Sequence, residues 1–469
     1  MSNPNQQQFN AQQEMLKNKL SSMKEQTKTS APSTQNLKTP AFYQLRKELH
    51  QQLLNEIAPE DLAKESNHNA IKQQIVQIVN AITLSRGIPL SPEQKILLLN
   101  DLTDEVLGFG PLEPLLRDKS ITEIMINSAR STFVEKSGKL IKLGEILFEN
   151  EEHLLHVVKR IALRIGRRVD NASPMVDARL PDGSRVNAII PPLALDGAAV
   201  TIRKFPDKAL SFEDLINYNA ITAKMAKFLS LCVKARLNII VAGGTGSGKT
   251  TLLNALSSFA SNEDRIITIE DSAELKLQQE HVIRLETRVA NAEGEGLVSA
   301  RDLMKNALRM RPNRIVVGEC RGGEALDMLQ AMNTGHEGSM TTVHSNTARD
   351  TMKRIETLVL MSGVELPLKT VREMISSTIN LVVMQSRFQD GTRKIKQITE
   401  IIGMEDDTIT MQDIYVYKQR GLDEQGKVVG EFLPTGVLPR CVSAMKSQGI
   451  DVPMDLFAPD NKPQNQMRI

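Results

Sequence analysis

The segment that most constrains this chain is a glycine-rich loop between a run of β-forming residues, 238–242, and a helical run, 252–259. The loop matches the pattern GxxxxGK[ST], whose glycines let successive backbone N–H groups turn inward around phosphate groups. The helix that follows adds the partial positive charge of its N-terminus. The residues expected to hold the phosphates are Gly243, Gly244, Thr245, Gly246, Ser247, Gly248, Lys249, Thr250 and Thr251.

Two side chains of this loop have distinct expected roles. Lys249 is expected to neutralise the β- and γ-phosphates of a nucleoside triphosphate, and the Thr250 hydroxyl is expected to bind Mg²⁺. The loop alone names neither the nucleotide nor the task. The sequence has no guanine-reading NKxD motif, because the stretch 461–464 lacks the acid, and it has no LSGGQ-like signature of transport cassettes.

Two carboxylates follow later β-runs. Glu270 ends the run 266–269, and Glu319 follows the run 314–317. The carboxyl ends of parallel strands meet at one edge of a sheet, where ligands bind in open α/β folds. Hydrolysis needs one carboxylate to polarise water and another to hold Mg²⁺, directly or through water. We expect Glu270 to polarise the water and Glu319, with Thr250, to organise the metal; exchanged roles are the alternative.

Two histidines, His336 and His344, bracket a further β-run, 340–343. We expect each to sense the γ-phosphate by donating a hydrogen bond that is lost after hydrolysis. A structural imidazole is the alternative for each. No third ligand with suitable spacing accompanies them, so a metal site at this pair is not expected.

Composition excludes several classes of protein. The 58 lysines and arginines nearly balance the 56 acidic residues, and aromatic residues make up 3% with no tryptophan. Both facts disfavour a protein built to coat or stack on nucleic acid. The three distant cysteines fit a reducing compartment. No apolar run approaches the roughly 18 residues of a membrane helix, and no secretory signal begins the chain, so we expect a cytoplasmic protein.

The pattern along the chain predicts several segments around one α/β domain. Residues 1–40 contain seven glutamines and five lysines and few large apolar residues, a composition typical of disorder. Apolar residues at helical spacing follow, and then β-alternation with one amphipathic helix. The β-runs from 238 onward alternate with helices, which favours a largely parallel sheet covered by helices. The predicted segments are a disordered tail (1–40), a helical bundle (41–112), a small α+β domain (113–205), a linker (206–211), the α/β domain (212–430) and a weakly structured C-terminal tail (431–469).

Several separate motifs together resemble the ATPases that drive type II and type IV secretion, pili and archaeal flagella. The order of the loop, the two acidic clusters and the histidine cluster resembles their Walker A, Asp box, Walker B and His box. The resemblance spans about residues 90–420 and is closest to the CpaF-type ATPases of tight-adherence (Flp-type) pili. The further stretches that carry it are ITEIMIN (121–127), SPMVDARLPDGSRVN (173–187), IPP (190–192), TIRKF (201–205), LETR (285–288) and LRMRP (308–312).

The resemblance implies a RecA-like ATPase domain preceded by a small PAS-like α+β domain and a helical bundle. It implies a homohexamer that uses ATP and Mg²⁺ and docks on inner-membrane platform proteins at the cytoplasmic face, with no nucleic acid. Arginines of the small domain, Arg185, Arg203 and Arg179, are then expected to reach phosphates, sometimes those of a neighbouring subunit, and Arg321 is a further candidate. Cys320 replaces the family's usual aliphatic residue, which a small half-apolar side chain should tolerate.

The expected function is a hexameric motor ATPase that assembles or retracts a pilus, or drives a related secretion machine. Hydrolysis is expected to rotate the small domain against the α/β domain across the linker. A RecA-like nucleic-acid translocase, a non-hydrolysing scaffold and a type IV ATPase that exports protein are the alternatives.

Overall fold

The computed structural model describes residues 39–56, 67–136, 138–205, 209–290 and 295–459. The chain divides into two compact units, Met1–Lys119 with Leu147–Ile161, and Ser120–Ile146 with Ala162–Ile469. Residues 1–38 of the expected tail and residues 206–208 of the expected linker lie outside the described residues.

The first unit is a helical bundle with an apolar centre. Leu49, Leu53, Ile75, Leu98 and Leu102 are fully buried there. The helices predicted from the spacing of apolar residues are confirmed. They are α1 (Pro40–Glu56), α2 (His68–Ser85), α3 (Pro92–Leu107) and the first part of α5 (Glu151–Arg164). The short α4 (Glu113–Arg117) was not predicted.

Ser91 caps the start of α3. Its hydroxyl accepts a hydrogen bond from the backbone N–H of Gln94 at 3.2 Å, and the Gln94 side chain accepts one from the backbone N–H of Ser91 at 3.1 Å. This reciprocal pair satisfies two N–H groups that a helix start otherwise leaves without partners.

The position of α5 differs from the prediction, which placed it in the small α+β domain. Its residues up to Ile161 lie in the first unit. The reason is a buried charge on α3: Glu105 lies 3.4 Å from Nε2 of His153 and 3.7 Å from Nη2 of Arg160. A buried carboxylate needs charged or polar partners. The spacing of apolar residues predicts a helix but does not predict that its His153 and Arg160 contact Glu105.

A six-stranded antiparallel sheet opens the second unit, with the order β3-β2-β1-β6-β5-β4. Two of its strands, β4 and β5, pair as a hairpin, with Asp177 opposite Asn187. The strands are β1 (Ile121–Ser128), β2 (Ser131–Lys136), β3 (Lys139–Lys142), β4 (Met175–Arg179), β5 (Arg185–Ile189) and β6 (Ala199–Arg203).

A nine-stranded sheet forms the rest of the second unit. Its strands are β7 (Ile239–Gly243), β8 (Ile266–Glu270), β9 (Val282–Glu286), β10 (Arg314–Val317), β11 (Met340–His344), β12 (Leu381–Arg387), β13 (Arg393–Glu405), β14 (Thr408–Leu422) and β15 (Val428–Pro434). Its helices are α6 (Phe212–Asn217), α7 (Ala223–Lys234), α8 (Lys249–Ser257), α9 (Ala300–Ala307), α10 (Glu324–Asn333), α11 (Ala348–Leu360), α12 (Leu368–Thr378) and α13 (Cys441–Ser447).

The strand order in this sheet is β15-β14-β13-β12-β7-β11-β10-β8-β9. The strands from β12 to β9 pair in parallel, whereas β13, β14 and β15 extend the sheet antiparallel. Alternate residues of β7 enter separate apolar clusters, Ile239 and Val241 in one, Ile240 and Ala242 in the other. The central strand is therefore buried on both faces, which explains its uninterrupted apolar run.

The expectation of a weakly structured tail from residue 431 is wrong for the described part of that segment. The strand β15 ends at Pro434, and α13 follows. Met445, Val452 and Phe457 are buried, and the Phe457 ring lies 5.3 Å from that of Phe228. The prediction gave too much weight to the polar residues of the last dozen positions and too little to the buried apolar residues Met445, Val452 and Phe457.

None of the described helices combines the length and the apolar character that crossing a lipid bilayer requires.

Candidate nucleotide-binding site

The glycine-rich loop joins β7 to α8, as the sequence predicts. Two of its glycines are required by the local geometry. Gly248 has φ +95°, a left-handed conformation that side chains disfavour. A Cβ atom on Gly243 would lie 2.2 Å from the carbonyl oxygen of Gln385 on β12. The loop therefore packs closely on the neighbouring strand at one end and turns tightly into the helix at the other.

Polar groups of the loop converge on one carbonyl. Nζ of Lys249 donates to the Gly244 carbonyl at 3.1 Å, and the Ser247 hydroxyl donates to the same oxygen at 2.9 Å. Burial lowers the pKa of the Lys249 ammonium, Glu319 opposes that shift, and Arg203 and Arg321 add to it. Two arginines therefore act on the lysine against Glu319, and a bound polyanion would offset their repulsion.

Two threonines, Thr250 and Thr251, follow Lys249 in the first turn of α8. In the described part of the chain the hydroxyl of Thr250 makes no hydrogen bond, so it is available to a cation. No group of three or more His, Cys, Asp or Glu side chains among the described residues is arranged to hold a metal by itself.

The parallel strands bring the predicted acids to the same edge of the sheet as the loop. Glu270 ends β8, and Glu319 lies two residues after β10. His344 ends β11, directly beside Gly243 of β7. The order β7-β11-β10-β8 places these ends side by side, at the carboxyl edge where open α/β folds bind ligands.

Glu270 lies in a closed environment, with 3% of the residue exposed. One oxygen, Oε2, accepts hydrogen bonds from the backbone N–H groups of Glu274 and Leu275 at 2.7 and 2.8 Å. The other, Oε1, is buried and has no hydrogen-bond partner in the described structure. Burial raises the pKa of this carboxyl, although the two N–H groups, together with Arg284 and the nearby Thr268 hydroxyl, oppose the shift. The Thr268 hydroxyl makes no hydrogen bond of ordinary geometry in the described structure. Oε1 is suited to accept a bond from a bound water.

Glu319 lies in an open environment, with 26% of its side chain exposed. Its Oε2 is 2.8 Å from Nη2 of Arg321, whose Nη1 lies 3.3 Å from Asp271. With Arg321, His344 and Arg354, it lines a cavity of about 510 Å³. This carboxylate also acts directly on the pKa of Lys249. Glu319 is therefore the more accessible acid to a molecule bound at the loop.

The two predicted sensor histidines are separated. His344 is exposed at the carboxyl end of β11, in the cavity with Glu319. His336 precedes the amino end of the same strand, where its carbonyl accepts from the Ser339 hydroxyl at 2.7 Å. The intervening strand holds the two at opposite edges of the sheet, since each residue of a strand advances about 3.3 Å. Within one chain, His336 lies at the end of β11 away from the loop, and its role as a γ-phosphate sensor stays a prediction.

The arginines of the six-stranded sheet differ in how firmly they are held. Arg185 forms a two-bond pair with Asp177, at 3.2 and 2.7 Å, which raises the pKa of its guanidinium. Arg179 lies 2.9 Å from Glu286 and 3.1 Å from the Gly183 carbonyl. Arg203 at the end of β6 has 59% of its side chain exposed, lies 3.6 Å from Glu274 and lowers the pKa of Glu123. It is the one of these three that acts on the pKa of Lys249.

Sequence reasoning missed three residues at the loop, all from β12 and β13. Gln385 pairs with Gly243 across the strands. Arg393 donates from Nε to the Gly246 carbonyl at 2.9 Å, and Arg387 lies beside the same glycine. The available signal was a pair of arginines flanking the Asp390-Gly391 turn that follows an apolar strand.

Cys320 is buried, as a small half-apolar side chain after the acid allows. It packs with Met328 at 3.5 Å between the sulfur atoms, and burial raises the pKa of its thiol to about 12.

The chain matches the sequence profile described as Type II/IV secretion system protein over residues 105–428. The chain belongs to this family. The match includes both sheets of the second unit except for the far end of the antiparallel extension, and it includes every acid and arginine described above.

Named proteins are similar to this chain over most of their own length. A putative conjugal transfer protein of Mycobacterium tuberculosis is 36% identical over 306 residues, covering 64% of this chain and 86% of that protein. The type IV secretion system protein VirB11 of Bartonella quintana is 32% identical over 328 residues, covering 61% of this chain and 90% of its own. The crystal structure of the VirB11 ATPase of Brucella suis is 30% identical, covers 61% of this chain and 91% of its own, and has a TM-score of 0.34. The family membership rests on the sequence matches.

Proposed function

We propose that this chain is an ATP-hydrolysing motor subunit with a RecA-like core. One observation carries the proposal. The phosphate-binding loop, with Lys249 half-buried among cations, lies at the same sheet edge as the accessible carboxylate of Glu319. That set supplies groups to hold a triphosphate and a carboxylate to activate water, which is what phosphoanhydride hydrolysis requires.

The roles follow from the surroundings of each group. Lys249 and the loop N–H groups bind phosphate, and Thr250 binds Mg²⁺. Glu319 polarises the attacking water because it is open to the crevice, whereas Glu270 orients a water of the metal through Oε1, which otherwise lacks a partner. This is the exchanged assignment of the two acids. His344 senses the γ-phosphate. When bound, Mg²⁺ offsets charge on the phosphate oxygens.

The proposed assembly is a homohexamer in which Arg203 completes a site, in its own or a neighbouring subunit. The support is the exposure of Arg203 and its long 3.6 Å contact with Glu274, which leave the guanidinium able to exchange partners. Arg185 is a weaker candidate for a phosphate contact because its guanidinium already forms two hydrogen bonds with Asp177.

The proposed machine is a tight-adherence (Flp-type) pilus system served by a CpaF-type ATPase, docked on inner-membrane platform proteins at the cytoplasmic face. The motif resemblance supports it. The relatives named conjugal transfer protein and VirB11 favour the alternative of a type IV secretion ATPase that exports protein, for which the same chemistry would serve. Genes for pilin and platform proteins beside this one would favour the pilus.

The test of the proposed activity is phosphate release from ATP with Mg²⁺ by the full chain. Lys249→Ala should abolish turnover, since no other cation of the loop replaces the lysine. Lys305→Ala, an exposed lysine on α9, is the matched control and should leave turnover unchanged. Equal turnover in wild type and Lys249→Ala would refute hydrolysis at this loop, and no turnover in wild type would favour the scaffold. Stimulation by single-stranded DNA or RNA would favour the translocase.

A further inference from the structure

The hairpin that joins β12 to β13 contacts the phosphate-binding loop and the six-stranded sheet at once. Arg393 donates from Nε to the Gly246 carbonyl at 2.9 Å, and its Nη2 lies 3.7 Å from Glu135 on β2. Arg387 donates to the Gly138 carbonyl at 2.6 Å, and its Nη1 lies 3.8 Å from the other oxygen of Glu135. One carboxylate of the small sheet therefore faces two guanidinium groups of the hairpin.

The carboxylate of Glu135 offsets the positive charges of Arg387 and Arg393. Its side chain is 17% exposed. Burial lowers the pKa of Arg393, the nearby Arg387 and Arg203 lower it further, and Glu135 opposes them. Without this carboxylate, the guanidinium groups would repel one another in a partly dry environment. Glu135 therefore keeps Arg393 in place.

The bond from Arg393 fixes the orientation of one peptide group in the loop. Because the peptide between Gly246 and Ser247 is planar and trans, its C=O and N–H point to opposite sides. The N–H of Ser247 points to the Gly244 carbonyl at 3.4 Å, the oxygen to which Lys249 donates. The bond from Arg393 holds the Gly246 carbonyl on the side of the hairpin. The Ser247 N–H is thereby directed to the side of the loop on which Lys249 lies.

We propose that Arg393 is a positioning residue for the phosphate-binding loop and that Glu135 holds it there. The inference rests on the proposed function. If the six-stranded sheet moves so that Glu135 separates from Arg393, the affinity of the loop for nucleotide should therefore fall. The contact couples the position of that sheet to ATP affinity.

The experiment measures the equilibrium Kd of MgATP for the full chain, together with the melting temperature. Arg393→Ala should raise the Kd about ten-fold or more, the range for losing a charge-assisted hydrogen bond. Arg393→Lys should raise it as well, because an ammonium cannot reproduce the planar fork of a guanidinium. Arg420→Ala is the matched control, since this strand arginine pairs with Glu431 away from the loop.

Glu135→Gln gives the sharper result, since it adds net positive charge beside the loop. If the carboxylate acts through Arg393, the Kd rises about three-fold, and the double variant with Arg393→Ala binds no more weakly than Arg393→Ala alone. A lowered Kd would overturn the inference, since simple attraction between cations and ATP would explain it. Normal affinity in Arg393→Ala would also overturn it. If the wild type itself binds no ATP, the proposed function fails, whatever the variants do.

Discussion

The two carboxylates at the sheet edge predict two different defects when each is replaced by its amide. In Glu319→Gln the side chain keeps its size in the open cavity but no longer accepts a proton from water. Loss of a general base lowers kcat about 10²- to 10⁴-fold, which at about 1.4 kcal/mol per decade is roughly 3–5 kcal/mol. Nucleotide affinity should change little, because the loop and Lys249 are untouched.

In Glu270→Gln the amide oxygen can still accept the N–H groups of Glu274 and Leu275. The amide nitrogen then replaces Oε1, the atom left without a partner, and a donor cannot accept from a metal-bound water. Loss of such an outer partner typically weakens metal binding about 10- to 100-fold. The half-saturating Mg²⁺ concentration should rise by that factor, with turnover partly restored at high Mg²⁺.

The assay is phosphate release at saturating ATP over a series of Mg²⁺ concentrations. Glu337→Gln, an exposed acid at the opposite edge of the sheet, is the control and should behave as wild type. Glu319→Gln turning over at the wild-type rate would refute the base assignment. A Mg²⁺ defect in Glu319→Gln with a metal-independent loss of kcat in Glu270→Gln would show that the roles are the reverse.

Other substitutions test assembly, the tail and the packing of the second unit. Arg203→Ala should lower kcat about 10³-fold while weakening nucleotide binding far less. Mixing Arg203→Ala with Lys249→Ala subunits should restore some phosphate release. Absence of rescue in a mixture shown to co-assemble would place the arginine in its own subunit. Removal of residues 1–38 should leave the melting temperature and basal turnover nearly unchanged, since their composition lacks core-forming residues, and a fall of several degrees would contradict this. Arg314→Met should cost about 3 kcal/mol in urea unfolding, because it strips a buried aspartate of one partner, whereas Arg420→Met should cost under about 1 kcal/mol; equal costs would refute the argument.

The glycine-rich loop and the acids were predictable because their signals are local. The apolar run before Gly243 and the helical run after Thr251 define a strand, a loop and a helix without reference to the rest of the chain. Glu270 and Glu319 each end an apolar run, and parallel strands bring such ends to one edge.

The contacts that depend on strand order were not predictable. Arg393 reaches Gly246 because β12 pairs with β7 and places Gln385 opposite Gly243. No local pattern states which strands are neighbours. The separation of His336 from His344 needed the strand bounds, and the choice between Glu270 and Glu319 needed the N–H groups that occupy one carboxylate and not the other.

The most direct test of the central claim is calorimetric titration of MgATP into the full chain and into Lys249→Ala. If the loop holds the phosphates as described, the wild type binds ATP and Lys249→Ala loses most of the affinity while keeping its melting temperature. ATP binding that is equally tight in both proteins would show that the nucleotide is held elsewhere, and the account of this site would be wrong.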